Sequence, residues 1–178
     1  FICFFVIKAN KKITFFKITL VAIICILAVY NQIQYYFFEI KDSARQVLLK
    51  TAFEIANDNF PLGTGFGTYA SHFSAQNYSP VYSLYHIQNT YGMSKDNTSF
   101  ISDTFWPMII GQFGYIGTIC YIVALIIILI KIQKDFKQEE KYKYIAKITA
   151  FSYLIIASTS ESAFVNPISI PLAIIIGL

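Results

Sequence analysis

Residues 105–132 read FWPMIIGQFGYIGTICYIVALIIILIKI. The stretch is apolar almost throughout, and its single charge, Lys131, comes one residue from the end. As a helix it would reach about 42 Å, against a hydrocarbon layer of about 30 Å. One tilted membrane span accommodates that length. Asp103 or Thr104 stands where a helix N-cap belongs, and Pro107 fits the first turn. Trp106 is the kind of residue that marks a membrane interface. Gly111, Gly114 and Gly117 fall three apart. Small residues at that spacing let a second helix pack close; the competing use is a flexible wall beside a substrate groove.

The whole chain agrees with this stretch. It has 178 residues, 56% hydrophobic and only 13% charged. Soluble domains carry about 25% charged residues. These proportions exclude a soluble enzyme, a disordered tail and a secreted disulfide scaffold, and point to a polytopic membrane protein. Cys3, Cys25 and Cys120 all lie in apolar runs and have no metal-ligand spacing. They read as small buried hydrophobes. The abundance of Ile, Phe, Tyr, Lys and Asn beside a single arginine suggests an AT-rich bacterial genome. The chain opens on Phe1 and closes on Leu178, both inside apolar runs, and is expected to be a piece of a longer protein.

Charge orients the spans. Lys8, Lys11, Lys12 and Lys17 cluster near the start, and six more lysines lie between Lys131 and Lys147. The segment 31–104 carries more carboxylates than cations. This is the positive-inside pattern, which makes the basic runs cytoplasmic flanks and not a nucleic-acid patch. Spans are expected at about 13–30, 105–132, 148–160 and 164–178. Residues 31–104 form an external loop and 131–147 a cytoplasmic loop. Lys17 can snorkel to the inner surface, and Tyr35–Phe38 suit the outer interface. The last two runs flank Glu161 as two spans or a re-entrant pair, and Pro167 and Pro171 favour a kink.

The external segment has its own order. Ser43 and Gln46 form a capping-box pattern. Leu48, Leu49, Ala52, Phe53 and Ala56 then fall on one helical face, so 44–57 is expected to be a helix on the membrane or against the bundle. Asn57–Pro61 should end it. Residues 76–100 show no period and read as loop with short helices. The run Pro61-Leu-Gly-Thr-Gly-Phe-Gly67 is the sharpest local feature. Its glycines permit positive φ and close backbone approach. The spacing is not that of a dinucleotide fingerprint, and a tight turn after a helix is the plainer reading.

Several polar residues compete for a chemical role. Arg45, the one arginine, carries a fork suited to phosphate; a salt bridge to Asp42 or Glu39 is the plainer alternative. His72 and His86 lie 14 residues apart in the external segment, no metal motif, and either is a general base or an ordinary loop histidine. Asp103 is a site residue or a helix cap. Glu161, between two apolar runs, is functional if buried in the membrane and merely solvated if outside it.

The order of these features resembles one family. An Arg-bearing helix precedes Phe60-Pro-Leu-Gly-Thr-Gly-Phe-Gly-Thr-Tyr69, and Ser102-Asp-Thr-Phe-Trp-Pro-Met-Ile-Ile-Gly-Gln-Phe-Gly-Tyr-Ile-Gly117 follows. Ser158-Thr-Ser-Glu-Ser162 with Asn166-Pro167 comes near the end. Over residues 40–178 this is similar to the C-terminal part of the O-antigen ligase/polymerase superfamily, in particular the polymerases of surface and exopolysaccharide repeat units. The resemblance implies an all-α polytopic helix bundle of GT-C type with a large external loop. It implies a metal-independent membrane glycosyltransferase that acts on an undecaprenyl-pyrophosphate-linked glycan and needs no cofactor. Membrane lipids and other polysaccharide-assembly proteins are the partners it implies. Arg45 matches the arginine before the family's glycine segment, and would bind pyrophosphate. Gly63, Gly65 and Gly67 would shape the loop beside the phosphates, with Trp106 at the substrate. Ligases carry a His-Asn pair where this chain has Ser102-Asp103-Thr104, which favours a polymerase over a ligase. The base is then Asp103, His86 or Glu161. Family members commonly use a second external arginine; Lys50 is the substitute within this chain. The rival from another class, a transporter or non-enzymatic membrane subunit, would need polar lining on several spans or freely replaceable Arg45 and Asp103.

Overall fold

The computed structural model describes residues 43–135 and 141–177. The expected 13–30 span, Lys17, the Tyr35–Phe38 group and residues 136–140 lie outside them. Among the described residues every regular element is a helix, and the single β-type contact is an isolated bridge between Ser94 and Asn97.

Helix α1 spans Ala44–Asp58. It starts just after Ser43 and stops where Asn59 turns back, its backbone N–H and its side-chain amide both donating to the Ile55 carbonyl at 3.0 Å. Leu48, Thr51, Ala52, Ile55 and Ala56 are buried. The expected face was turned slightly: Phe53 is exposed, and Thr51 and Ile55 take the inner positions. The cause is the partner, because α1 packs along the start of α4 rather than lying on a flat surface.

Short helices α2 (His72–Gln76) and α3 (Pro80–Leu84) follow, then a 3-10 turn at Ile87–Asn89. Ser71 and Ser74 form a reciprocal capping box on α2. Ser79 caps α3 with Pro80 in its first turn. Tyr69, Tyr82, Ile87, Met93 and Ile101 from this region join α1 and residues Phe105–Ile110 in one core.

Helix α4 runs Phe105–Asp135 but is broken at Gly114, with φ 59° and ψ −159°. The break reverses the chain. Phe105 and Tyr121 have ring centroids 5.3 Å apart, and Trp106 and Tyr121 6.2 Å. In a straight helix, sixteen residues would separate their backbones by about 24 Å. The expected single tilted span at 105–132 is therefore corrected to a short limb, 105–113, folded back against a long limb, 115–135. The physical reason is Gly114, which alone in this stretch takes a left-handed φ.

The long limb is about 31 Å long, sufficient to cross a hydrocarbon layer. By length and composition the stretch Phe105–Gln133 is apolar enough to cross a membrane. Ile116, Ile119, Ile122, Val123, Ile126, Ile127 and Ile130 on it are exposed. The helix of a soluble core would bury such a surface, whereas lipid accepts it. Cys120, expected to be buried, is also exposed on this limb.

Helix α5 spans Lys141–Ala157 and α6 spans Ser169–Gly177, packed on each other. The described residues of the expected cytoplasmic loop 131–147 are helical: Lys131 belongs to α4, and Lys141–Lys147 form the first turns of α5. Lysine is a good helix former, and polarity alone does not end a helix. Pro171 falls in the first turn of α6, where it removes no helical hydrogen bond, so it starts the helix rather than kinking it.

Candidate functional site

Helix α1 and the short limb of α4 begin at the same level. Arg45, in the first turn of α1, donates from Nη2 to Asp103 Oδ2 at 2.9 Å and from Nε to the same oxygen at 3.3 Å. Both side chains are about one-third exposed, 35% and 38%. Residues far apart in sequence thus meet at a solvent-accessible edge. The expected partners Asp42 and Glu39 lie outside the described residues. Asp103 serves this ion pair. Thr104 does not cap α4 with its side chain: its Oγ1 is buried and has no hydrogen-bond partner.

One turn along, Trp106 Nε1 donates to Ser158 Oγ at 3.2 Å. That bond ties the start of α4 to the segment after α5. Phe164 completes the junction, its ring 4.9 Å from Phe105 and 5.8 Å from Tyr121. The Arg45–Asp103 edge, Trp106 and the Ser158 turn therefore form one neighbourhood.

The glycine run lies at the other end of the short limb, about 14 Å away at 1.5 Å per residue. It plugs the break in α4. Thr64 N–H donates to the Gly111 carbonyl at 3.1 Å, and Gly65 N–H to the Gln112 carbonyl at 2.8 Å. Ile116 N–H donates to the Pro61 carbonyl at 3.4 Å. These are the backbone groups that a broken helix frees, and burial requires that they be satisfied. Gln112 is 1% exposed. Its Oε1 accepts from Gly67 N–H at 2.8 Å and its Nε2 donates to the Tyr69 carbonyl. The amides of Gly65 and Gly67 are thus committed to α4, and Gly63 N–H to the Asn59 carbonyl at 3.1 Å. Gly63, Gly65 and Gly67, expected beside phosphates, hold the helix break. Likewise Gly111 and Gly114 pack against Tyr69 and Pro61 of this loop, rather than against a second helix. Gln112 was legible only as a scattered polar residue, although a lone amide between Gly111 and Gly114 was the available signal.

The remaining expected residues do not converge on Arg45 through any bond. Lys50 is exposed on α1; five residues on, it points about 140° away from Arg45. His72 and His86 are exposed, His86 at φ 56° before the 3-10 turn. Glu161 is exposed in the turn after α5, its backbone N–H donating to the Ala157 carbonyl at 2.9 Å. That favours a solvated carboxylate over a buried one. Among the described residues no three His, Cys, Asp or Glu side chains gather as a metal site.

Tyrosines organise the core below the site. Tyr69 Oη donates to the Leu48 carbonyl at 2.8 Å. Tyr82 Oη accepts from Ala70 N–H at 3.0 Å and is hydrogen-bonded to Ser74 Oγ at 2.6 Å, with either hydroxyl able to donate. Burial pushes the Tyr82 phenol up to about 12, and raises Tyr69 as well. Both phenols therefore stay neutral at neutral pH.

No family model, curated protein or solved structure matches this chain. The arrangement offers a cation and a carboxylate in contact, exposed to solvent, beside a helix junction that carries a membrane-compatible limb.

Proposed function

We propose that the chain is part of a polytopic GT-C-type glycosyltransferase of a bacterial cytoplasmic membrane. It polymerises undecaprenyl-pyrophosphate-linked repeat units at the outer face. The Arg45–Asp103 contact carries this reading. A guanidinium can stabilise the charge that builds on a departing pyrophosphate. The acceptor hydroxyl forms a bond to the anomeric carbon while the carbon–oxygen bond to pyrophosphate breaks. Asp103 is the proton acceptor best placed to serve the same substrate. Both bonds from Arg45 fall on Oδ2, which leaves Oδ1 outside the ion pair. Trp106, one turn away, offers an aromatic face to the sugar or the carrier. The exposed apolar surface of the long limb suits the carrier's polyprenyl tail.

The test is Arg45→Lys in the intact protein, with membrane expression confirmed and lipid-linked glycans resolved by gel. Lysine keeps the charge and loses the fork. A ladder that collapses to single repeats supports the reading. A full ladder in both Arg45→Lys and Arg45→Ala overturns it. A product whose chain length the protein never changes identifies a ligase instead.

A further inference from the structure

We infer that the loop Phe60–Phe66 is an interfacial anchor: Phe60, Leu62 and Phe66 insert into the lipid surface on the side of the membrane where the long limb of α4 begins. The inference rests on the membrane placement of the long limb and not on glycosyl transfer. The three side chains are 71%, 65% and 86% exposed. No charged residue lies between Phe60 and Tyr69. Single exposed apolar residues need no explanation, but a contiguous group marks a contact surface. These three are continuous with the lipid-compatible face of α4. The Phe60 ring lies 6.1 Å from Tyr115, the Phe66 ring 6.2 Å from Phe113, and the Pro61 carbonyl accepts from Ile116 N–H. Ile116 is the first of the exposed apolar residues that continue along the long limb to Ile130. The loop's backbone suits the same surroundings. From Phe60 to Gly65 every N–H donates within the protein, to carbonyls of Asn57, Asn59, Gly111 or Gln112, and Pro61 has none to place. The Thr64 hydroxyl is bonded to Thr68 Oγ1 at 2.7 Å. Lipid offers no partner for an unmet N–H, and this loop asks for none there. Asp58, just before the loop, is exposed, and its carboxylate accepts from Tyr85 Oη at 3.0 Å. A charge on that side sets the depth. The loop stays at the boundary of headgroups and acyl chains, where aromatic side chains are favoured, and does not enter the hydrocarbon interior.

The test places nitroxide labels on the intact protein in phosphatidylcholine bilayers. Each label is read by its collisions with oxygen, which concentrates in lipid, and with a water-soluble nickel chelate, which lipid excludes. Cys3→Ala with Cys25→Ala leaves Cys120, exposed on the long limb, as the lipid reference. With Cys120→Ala added, Phe66→Cys and Leu62→Cys carry the label on the loop. Lys95→Cys, at an exposed charged position, gives the water reference. The expected result is a loss of nickel collisions at Phe66 and Leu62 relative to Lys95, with oxygen collisions kept as at Cys120. Nickel collisions equal to those at Lys95 overturn the inference, because the loop then stands in water. Loss of both kinds of collision overturns it too, because protein then covers the loop, either another segment of this chain or a second copy. A Cys120 label that meets nickel as freely as Lys95 takes the long limb out of lipid, and the inference falls with it. Phe66 and Leu62 bury little, so either variant carries the test if the other does not fold. None of these readings depends on glycan elongation, so the anchor and the transferase reading fail separately.

Discussion

Gly63 and Gly114 meet backbone to backbone. A Cβ on Gly63 would stand 2.6 Å from Gly114 N, and a Cβ on Gly114 would stand 2.6 Å from Gly63 N. Each is also within 2.5 Å of a carbonyl oxygen, Gly111 O and Pro61 O respectively. Both residues hold positive φ, 70° and 59°. The contact is what lets the loop after α1 enter the break in α4, at the far end of the short limb from the Arg45–Asp103 pair.

Alanine at Gly63 or Gly114 must displace backbone, not a flexible side chain. The clash adds to the left-handed strain of about 1–3 kcal/mol. Gly63→Ala and Gly114→Ala are expected to lower the thermal midpoint in detergent sharply. Gly65 is the control: its φ is 97°, but a Cβ there meets nothing within 4 Å. Gly65→Ala should cost only the backbone strain, and so be the mildest of the three. Equal midpoints for all three would contradict a close packed junction.

Gln112 joins two backbone groups that have no other role in the loop. Replacing it with Leu keeps the volume but strands the Gly67 N–H and the Tyr69 carbonyl. Each stranded buried group costs about 1–3 kcal/mol. Gln112→Leu should therefore destabilise more than any exposed apolar change on the long limb, such as Ile127→Leu. Hydrogen exchange gives the sharper readout, because the Gly67 amide should lose its protection while the amides within α1 keep theirs.

Much of this architecture is legible in the sequence. The cap at Ser43, the stop after Asp58 and the apolar length of 105–132 are local signals, and α1 and the start of α4 follow them. The reversal at Gly114 was not readable. Gly111, Gly114 and Gly117 carry the same residue at equal spacing, and only the loop that inserts at Pro61–Gly65 distinguishes the one that breaks the helix. The same limit applied to the site. Arg45 and Asp103 were each singled out, but their pairing depends on the register of α1 against the short limb. The glycine run invited a phosphate role because positive φ is legible locally, whereas the acceptors of the Gly65 and Gly67 amides, 47 and 45 residues away on Gln112, are not.

Tyr82 sets an alkaline limit on the region it packs. An exposed tyrosine ionises near 10, and burial moves Tyr82 to about 12. The neutral phenol is the folded form, so its contribution is fully present below pH 10 and is lost as pH rises towards 12. Tyr69 shifts in the same direction and adds to the effect. The thermal midpoint should hold up to about pH 10 and fall beyond it. Tyr82→Phe should lower the midpoint at neutral pH, because Ala70 N–H loses its acceptor. Its decline between pH 10 and 12 should be shallower than that of the parent. Parallel curves would show that Tyr82 does not titrate with unfolding.

The Arg45–Asp103 pair can be tested for chemistry separately from support. At about one-third exposure an ion pair is worth roughly 0.2–1 kcal/mol to stability, so either single neutral variant should fold. Arg45→Gln and Asp103→Asn are thus expected to change the midpoint little while each removes glycan elongation. The exchanged variant, Arg45→Asp with Asp103→Arg, rebuilds the attraction with its ends reversed. If the pair only ties α1 to α4, the exchange restores both stability and activity. If Arg45 faces a phosphate and Asp103 an acceptor hydroxyl, the exchange restores stability alone, because the cation now stands on the wrong helix for the leaving group. We expect the second result: a stability within about 1 kcal/mol of the parent, with lipid-linked glycans remaining as single repeats. Restored ladders would assign the pair to architecture and move the search for the base to Glu161 and His86.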